Sequence, residues 1–160
     1  MLLLPIEDFT LRSRLSERDL VKRLQEYVQS DRPAGESARP YFGKVDLESF
    51  EIRRAISYRN DFLPKISGEI FTDLGGTKVK VSMRVSAPTA IFMMLWIGGV
   101  SIACALAIVS WVKGDGFEFK EAIPFGMLSI GIAVVLAGFK IESSRSKRDL
   151  QEILDADMIA

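Results

Sequence analysis

Three stretches in the first half of the chain alternate between apolar and polar residues, which is typical of strands that bury one face. The apolar positions are Phe50, Ile52, Ile56 and Tyr58 in the first stretch, Ile66, Gly68 and Ile70 in the second, and Val79, Val81, Met83 and Val85 in the third. The residues Leu74-Gly75-Gly76-Thr77 predict a tight hairpin turn between the last two stretches. With a shorter strand expected over 41–45, the pattern predicts a small antiparallel β-meander of about four strands.

A helical period precedes these strands, between Ser16 and Ser30. Its apolar residues form one stripe, made of Leu20, Val21, Leu24, Tyr27 and Val28. Ser16 and Asp19 have the spacing of a capping box. The sequence therefore predicts an N-terminal amphipathic helix that either packs on the sheet or lies on a membrane surface. Two prolines and a glycine within Asp31–Pro40 predict a linker after it.

Two long apolar runs fill most of the second half of the chain. Thr89–Val112 contains no charged residue, and Ala122–Ile141 contains only Lys140, near its end. Crossing a membrane takes about 20 apolar residues, and a chain of this size has too little other sequence to bury two such runs. We therefore predict an α+β membrane protein with four parts: an N-terminal helix and linker (1–40), a sheet (41–87), a transmembrane hairpin (88–141, with spans at about 89–112 and 122–140) and a juxtamembrane tail helix (142–160).

Small residues recur at a spacing of four on both predicted spans, at Gly99, Ala103 and Ala107 and at Ala133 and Ala137. Such spacing lets membrane helices approach one another closely. Glycine and alanine are also common in membrane helices without that role. The stripes favour a tightly packed hairpin, and the hairpin is the expected contact with a protein partner or a second copy of the chain.

Charged residues beside the spans predict how the chain is oriented. The basic residues that flank the spans on one side are Lys78, Lys80, Arg84, Lys140, Arg145, Lys147 and Arg148. The loop Lys113–Glu121, on the other side, carries more acids than bases. The positive-inside rule then places both termini in the cytoplasm. Arg145, Lys147 and Arg148 either only set this topology or also contact anionic lipid.

The turn Tyr58–Pro64 combines polar residues with the adjacent apolar pair Phe62-Leu63. The last predicted strand runs directly into the first span, and successive strands of a meander are antiparallel. This turn is therefore expected at the tip of the sheet that faces the membrane. Tyr58, Arg59, Asn60 and Phe62 either brace the sheet against the ends of the spans or contact a lipid headgroup or a partner.

Arg54 falls on the apolar side of its strand if the alternation is strict. An inward-facing arginine needs an acidic partner, because a buried unpaired charge is costly. We expect this partner on the N-terminal helix, for example Glu26, unless a bulge at Arg53-Arg54 turns the side chain outward.

Composition narrows the classes of function. The chain has no histidine, and its one cysteine, Cys104, lies in an apolar run and is expected to be a packing residue. Catalytic Ser-His or Cys-His pairs and CxxC zinc sites are therefore excluded, and we expect no metal or cofactor. The formal net charge of zero gives no general attraction to nucleic acid. Acids and arginines are missing from the interior of both spans, which argues against an ion pathway.

The segment Tyr41–Gly68 contains a long motif, F-x-I-x-R-x-I-x-Y-R-N-x-F-L-P-x-I-x-G from Phe50 onward. It resembles the pattern of a family of small uncharacterised bacterial two-span membrane proteins. Phe42 and Gly43, adjacent here, correspond to an F-x-G element of that family, and Asp61 stands where the family usually has serine. The similarity extends from about 41 to 154. The resemblance implies a location in the bacterial inner membrane and no assigned activity.

Two hypotheses for function follow. In the first, a non-enzymatic accessory or scaffold protein presents a cytoplasmic module at the inner membrane. In the second, the Tyr58–Pro64 turn binds anionic lipid, with Arg59, Tyr58 and Phe62 holding the headgroup. An enzyme comes third, because no paired-carboxylate motif, phosphate loop or metal set accompanies Arg59 and Asp61.

Overall fold

The computed structural model describes residues 6–31, 39–58, 60–73, 76–113 and 119–159. Their elements in chain order are β1 (Ile6–Ser13), α1 (Glu17–Tyr27), β2 (Val28–Gln29), β3 (Tyr41–Val45), β4 (Ser49–Arg54), β5 (Lys65–Asp73), β6 (Gly76–Arg84), α2 (Ala87–Lys113), α3 (Phe119–Ile153) and β7 (Ala156–Ile159). The fold is α+β, a sheet combined with two long apolar helices. Arg59, most of the predicted linker, Leu74-Gly75 of the predicted hairpin turn and most of the loop between the two long helices lie outside the described residues.

The described strands form one sheet with the order β2-β3-β4-β5-β6-β1-β7. Strands β3 to β6 pair antiparallel in sequence order and form the predicted meander. The sheet is larger than that meander, and it is not wholly antiparallel, because β2 pairs parallel with β3. Strand β4 ends at Arg54, so Ile56 and Tyr58 follow the strand instead of continuing its alternation.

The two ends of the described chain supply the remaining strands. The segment Ile6–Ser13 pairs with β6 along its whole length, from Ile6 opposite Arg84 to Ser13 opposite Thr77. β7 pairs with β1 on the other side. Residues 1–40 thus contain β1 and β2 besides the predicted helix, and the tail 142–160 contains β7. The alternation of apolar and polar residues does not reveal β1 in the sequence, because Glu7 and Ser13 lie toward the core while Ile6 is 48% exposed.

One face of the sheet, called here the inner face, is covered by α1 and by the second half of α3. The core combines Leu11, Ile52, Ile66, Val79 and Met83 from the sheet, Leu20, Val21 and Leu24 from α1, Phe139, Leu150 and Ile153 from α3, and Leu154 directly after α3. The side chain of Ser16 caps α1 by accepting a hydrogen bond from the backbone nitrogen of Asp19. The apolar residues of α1 are therefore used in the protein core, and the opposite, outer face of the sheet is solvated.

The two long helices carry most of the exposed apolar surface. α2 has 27 residues and α3 has 35, which correspond to lengths of about 40 Å and 52 Å. In their most apolar 18-residue windows, with mean hydropathy of 2.3 and 2.2, only 17% and 11% of the residues are buried inside the protein. By length and composition, both helices are long and apolar enough to cross a membrane.

α2 and α3 pack together where the ring of Trp96 lies against Gly131. The two predicted stripes of small residues do not both face this contact. A Cβ atom at Gly131 of α3 would lie 2.1 Å from Cη2 of Trp96 on α2, so the ring occupies the space that a side chain would need. Ala133 and Ala137 are exposed, and nothing lies within 4 Å of a Cβ at Gly99. The prediction that these three residues form the close contact within the hairpin is wrong.

Candidate functional site

The second half of α3 lies along the inner face of the sheet through a narrow buried stripe. The buried residues of this stripe are Phe139, Ser143, Ser146, Leu150 and Ile153. Their spacing of four and three residues is that of one helix face. Two of the five are serines, which add little to the apolar pattern. The sequence signal therefore covers only Leu150, Ile153 and Leu154, whereas the contact begins at Phe139.

A carboxylate lies beside this stripe, at the point where α3 meets the sheet. Glu142 is 1% exposed. Its Oε1 accepts a hydrogen bond from the hydroxyl of Tyr58, and Nη1 of Arg145 lies 3.3 Å from the same oxygen. Its Oε2 lies 4.0 Å from Nη1 of Arg54. The Glu142 cluster, formed by these residues with Tyr41 and Asp149, joins α3 to β3, to β4 and to the segment after β4.

Arg54 faces inward, and its acids lie on α3. Its Nη2 is 3.2 Å from Oδ2 of Asp149, which also accepts a hydrogen bond of 3.0 Å from the hydroxyl of Tyr41. Arg54 does have acidic partners, but the prediction that they lie on α1, for example Glu26, is wrong, because they lie on α3. Both Glu142 and Asp149 lie on the face of α3 that meets β4. Seven residues make about two helical turns, so two acids at this spacing lie on the same side of a helix. This spacing is the feature of the sequence that could have identified them as partners of Arg54.

The two tyrosines of the cluster are held in the protonated state. The hydrogen bond to Glu142, then burial, raises the pKa of Tyr58, because a phenolate cannot donate to the carboxylate. Burial first, and then the charge of Asp149, raises the pKa of Tyr41, while Arg54 opposes this. Both phenols therefore act as permanent hydrogen-bond donors to α3.

A second ionic contact holds the other side of α3. Oε1 of Glu7 on β1 lies 3.0 Å from Nζ of Lys140 and 2.8 Å from Nζ of Lys147, whose ammonium is 4.6 Å from the ring centre of Phe9. Burial raises the pKa of Glu7, but the hydrogen bonds from Lys147, Ser143 and Lys140 outweigh it and lower this pKa from 4.5 to about 2. Lys147, a predicted lipid contact, is engaged within the protein. We call this group the Glu7 cluster.

The turn after β4 is wedged between the two long helices. The side-chain amide of Asn60 donates to the carbonyl of Gly138, and its oxygen accepts from the backbone nitrogen of Phe62. The ring of Phe62 packs on Gly138, where a Cβ would lie 3.2 Å from Cδ2. The hydroxyl of Thr89 on α2 donates to the carbonyl of Asp61 at 3.0 Å. These contacts are those expected of a brace between the sheet, the start of α2 and the middle of α3.

The structure brings some of the predicted contact residues together and separates others. Arg54, Tyr58 and Arg145 meet at Glu142, whereas Asn60 and Phe62 contact the helices from the turn. Arg148 is exposed and lines an open, charged depression at the opposite end of the sheet, together with Arg14, Gln151, Glu152, Asp155, Ala156 and Asp157. Arg59 lies outside the described residues. Sequence reasoning did not identify Tyr41, Glu142, Asp149 or Glu7 as contact residues.

No family model, curated protein or solved structure matches this chain. Among the residues that the structure describes, no group of three or more histidine, cysteine, aspartate or glutamate residues is arranged to hold a metal ion. Glu142 and Asp149 of α3 instead face arginine and tyrosine side chains of β3, of β4 and of the segment after β4. This arrangement fixes α3 on the sheet, and the function is inferred from that coupling.

The low pKa of Glu7 predicts that part of the stability is lost in acid. The folded protein favours the charged carboxylate, so its contribution is complete above pH 4.5 and is lost as the pH falls from there toward about 2. The contribution amounts to about 3 kcal/mol. We expect the melting temperature of the Glu7→Gln variant to fall less steeply than that of wild type between about pH 5 and pH 3. The Glu69→Gln variant, which changes an exposed carboxylate of β5, should keep the wild-type slope, and equal slopes for all three proteins would contradict the role of Glu7.

Arg54 and Glu142 should show strong energetic coupling. Either Arg54→Met or Glu142→Gln leaves a partner with fewer compensating contacts, and each should lower the free energy of unfolding by about 2–4 kcal/mol. The double variant should cost less than the sum of the two by about 1–3 kcal/mol. Denaturant unfolding measures all four corners of this cycle. Arg53→Met, on the outer face of the same strand, is the matched control and should change stability by no more than about 0.5 kcal/mol. If the losses of the two single variants simply add up in the double variant, the coupling is ruled out.

Proposed function

We propose that this protein is a non-enzymatic membrane protein, an accessory or scaffold component that presents an α+β module at the cytoplasmic face of the bacterial inner membrane. The continuity of α3 supports this most directly. One helix supplies both an apolar segment with little burial and a buried stripe on the sheet. A module carried in this way is held at a fixed distance from the segment that enters lipid.

Insertion of α2 and α3 is supported by the apolar side chains that they expose. Leu95 is 74% exposed and Leu106 is 65% exposed on α2, and Ile130 is 67% exposed on α3. Soluble monomers rarely expose contiguous apolar patches of more than a few hundred Å². Lipid chains would cover these side chains along the apolar segments of both helices.

Basic residues at one end of the helix pair and an aromatic stack at the other support the proposed orientation. Arg84, Lys140 and Arg145 lie where the helices meet the sheet, and basic residues beside a span favour the cytoplasmic side. At the other end the ring of Trp111 stacks on Phe125, with centroids 5.6 Å apart. Tryptophan is common at membrane interfaces, so this stack suits the opposite surface of the membrane. Both termini are then cytoplasmic.

The ionic clusters give the scaffold its rigidity. Arg54, Tyr58 and Tyr41 hold α3 on one side and Glu7 holds it on the other, so rotation of the helix on the sheet would break contacts in both clusters. The module therefore presents its outer face and the depression beside Arg148 in a fixed direction. These surfaces, or the exposed sides of the helix pair, would bind a protein partner or a second copy of the chain.

The lipid-binding turn is the competing proposal. Tyr58 and Asn60 donate to groups of α3, and Phe62 packs on Gly138. Since these side chains already have partners within the protein, a headgroup site at the turn would depend mainly on Arg59. The contacts of the turn favour bracing over capture of a headgroup.

Cysteine labelling tests insertion and orientation together. In a Cys104→Ala background, one variant carries Ser49→Cys on the sheet and another carries Lys120→Cys at the far end of α3; both positions are exposed. A membrane-impermeant maleimide applied to intact spheroplasts should label only the Lys120→Cys variant. The Ser49→Cys variant should react after detergent permeabilisation. The reverse pattern would contradict the orientation, and labelling of both variants in intact spheroplasts would contradict a two-span insertion.

Co-purification tests the scaffold role. The tagged protein is extracted from native membranes into lipid nanodiscs, and everything that remains bound is identified by mass spectrometry for wild type and for Arg59→Ala. We expect a protein partner at a fixed ratio in both samples, because the partner surfaces lie away from the turn. An anionic lipid that is lost only with Arg59→Ala would support the turn as a headgroup site. Bulk lipid alone in both samples would contradict both proposals.

A further inference from the structure

Three basic residues lie side by side across the sheet at the end from which α2 departs. Arg53 on β4 is directly opposite Lys65 on β5, and Lys65 is directly opposite Arg84 on β6. Ile6 on β1 continues the same row beyond Arg84 and is 48% exposed. We call Arg53, Lys65 and Arg84 the cationic row.

The cationic row belongs to the outer face of the sheet. Along each strand the neighbouring residue is fully buried on the inner face: Ile52, Ile66 and Met83 are each 0% exposed. Successive side chains of a strand point to opposite faces. The three cations are therefore on the side of the sheet away from α1, α3 and both ionic clusters, and they take no part in fixing α3.

This placement carries an electrostatic cost within the protein. Like charges that are directly opposite on neighbouring strands destabilise a sheet. Partial compensation comes from Glu51, whose Oε2 lies 2.8 Å from Nζ of Lys65, in a pair that is exposed on both sides. Nε of Arg84 donates to the neutral hydroxyl of Ser82 at 3.1 Å. An exposed pair of this kind contributes little to stability. Glu51 also supplies only one negative charge beside three positive ones, so the row keeps a net positive charge.

The position of the row along the chain indicates what neutralises this charge. Arg84 precedes Ala87, the first residue of α2, by three residues, which span at most about 10 Å. If α2 crosses the membrane, that distance places Arg84 at the level of the lipid headgroups, which occupy several Å on each side of the hydrocarbon core. Lys65 and Arg53 continue the row across the sheet from Arg84, each directly opposite its neighbour.

We propose that Arg53, Lys65 and Arg84 form a binding surface for the phosphate groups of anionic phospholipids in the cytoplasmic leaflet. The two guanidinium groups suit bidentate hydrogen bonding to phosphate oxygens, and the lysine adds a point charge. Ile6, at the end of the row, adds an apolar contact with the interface. This inference rests on the proposed membrane insertion and is separate from the Tyr58–Pro64 turn.

The test compares bound lipid in nanodiscs that contain phosphatidylcholine and phosphatidylglycerol. The row variant carries Arg53→Gln, Lys65→Gln and Arg84→Gln. The control variant carries Arg12→Gln, Lys78→Gln and Lys80→Gln, which remove the same charge from the same face. Arg12 and Lys78 lie toward the opposite end of the sheet, and Lys80 lies midway along β6. Spin-labelled lipids report the ratio of protein-associated anionic to zwitterionic lipid. We expect the row variant to lower this ratio at least about fivefold, the factor that corresponds to one basic residue near an anionic surface, and the control to keep the wild-type ratio.

Folding is checked in neutral detergent, where the row variant should melt no lower than wild type, because repulsion between like charges has been removed. Equal ratios for all three proteins, or equal losses in the row and control variants, would overturn the lipid surface. In that case insertion of all three proteins into discs would leave the membrane proposal standing. Failure of wild type to insert would overturn both.

Discussion

The carboxylate of Glu142 sets the main constraint on this molecule, because a buried charge must be surrounded by groups that donate to it. It occupies the point where α3 passes from its apolar segment to the sheet. Tyr58 and Arg54 can reach it only if α3 continues as a helix beyond the apolar segment and lies along the inner face. The cluster therefore ties the direction of the long helices to the orientation of the sheet.

Glu7 provides the matching contact on the other side of α3. It lies on β1, and β1 pairs with both β6 and β7. The beginning and the end of the described chain thus meet in neighbouring strands, while Lys140 and Lys147 of α3 reach across to the same carboxylate. With acids facing cations on both sides, the helix is held in one position, which suits the proposed scaffold role.

The two faces of the sheet use their charges differently. On the inner face, acids and bases are matched within the protein and fix the helix. On the outer face, Arg53, Lys65 and Arg84 lie side by side, with Glu51 as a partial and exposed counterion. The matched charges of the inner face favour one position of α3. The excess positive charge of the outer face, close to the start of α2, suits an anion from outside the protein. The proposed lipid surface and the proposed scaffold are thus two consequences of the same sheet.

Local patterns in the sequence determined the two apolar helices, the four meander strands, the helix from Glu17 to Tyr27 and the need of Arg54 for an acid. The tertiary structure alone decided that Glu142 is such an acid. Glu142 is far away in the sequence, 84 residues beyond Tyr58, which donates a hydrogen bond to the same carboxylate. It also decided the strand at Ile6–Ser13, where an inward glutamate and an outward isoleucine reverse the expected alternation, and the four-residue strand β7. Periodicity reports that a face is buried; which distant element covers it depends on contacts that no local pattern contains.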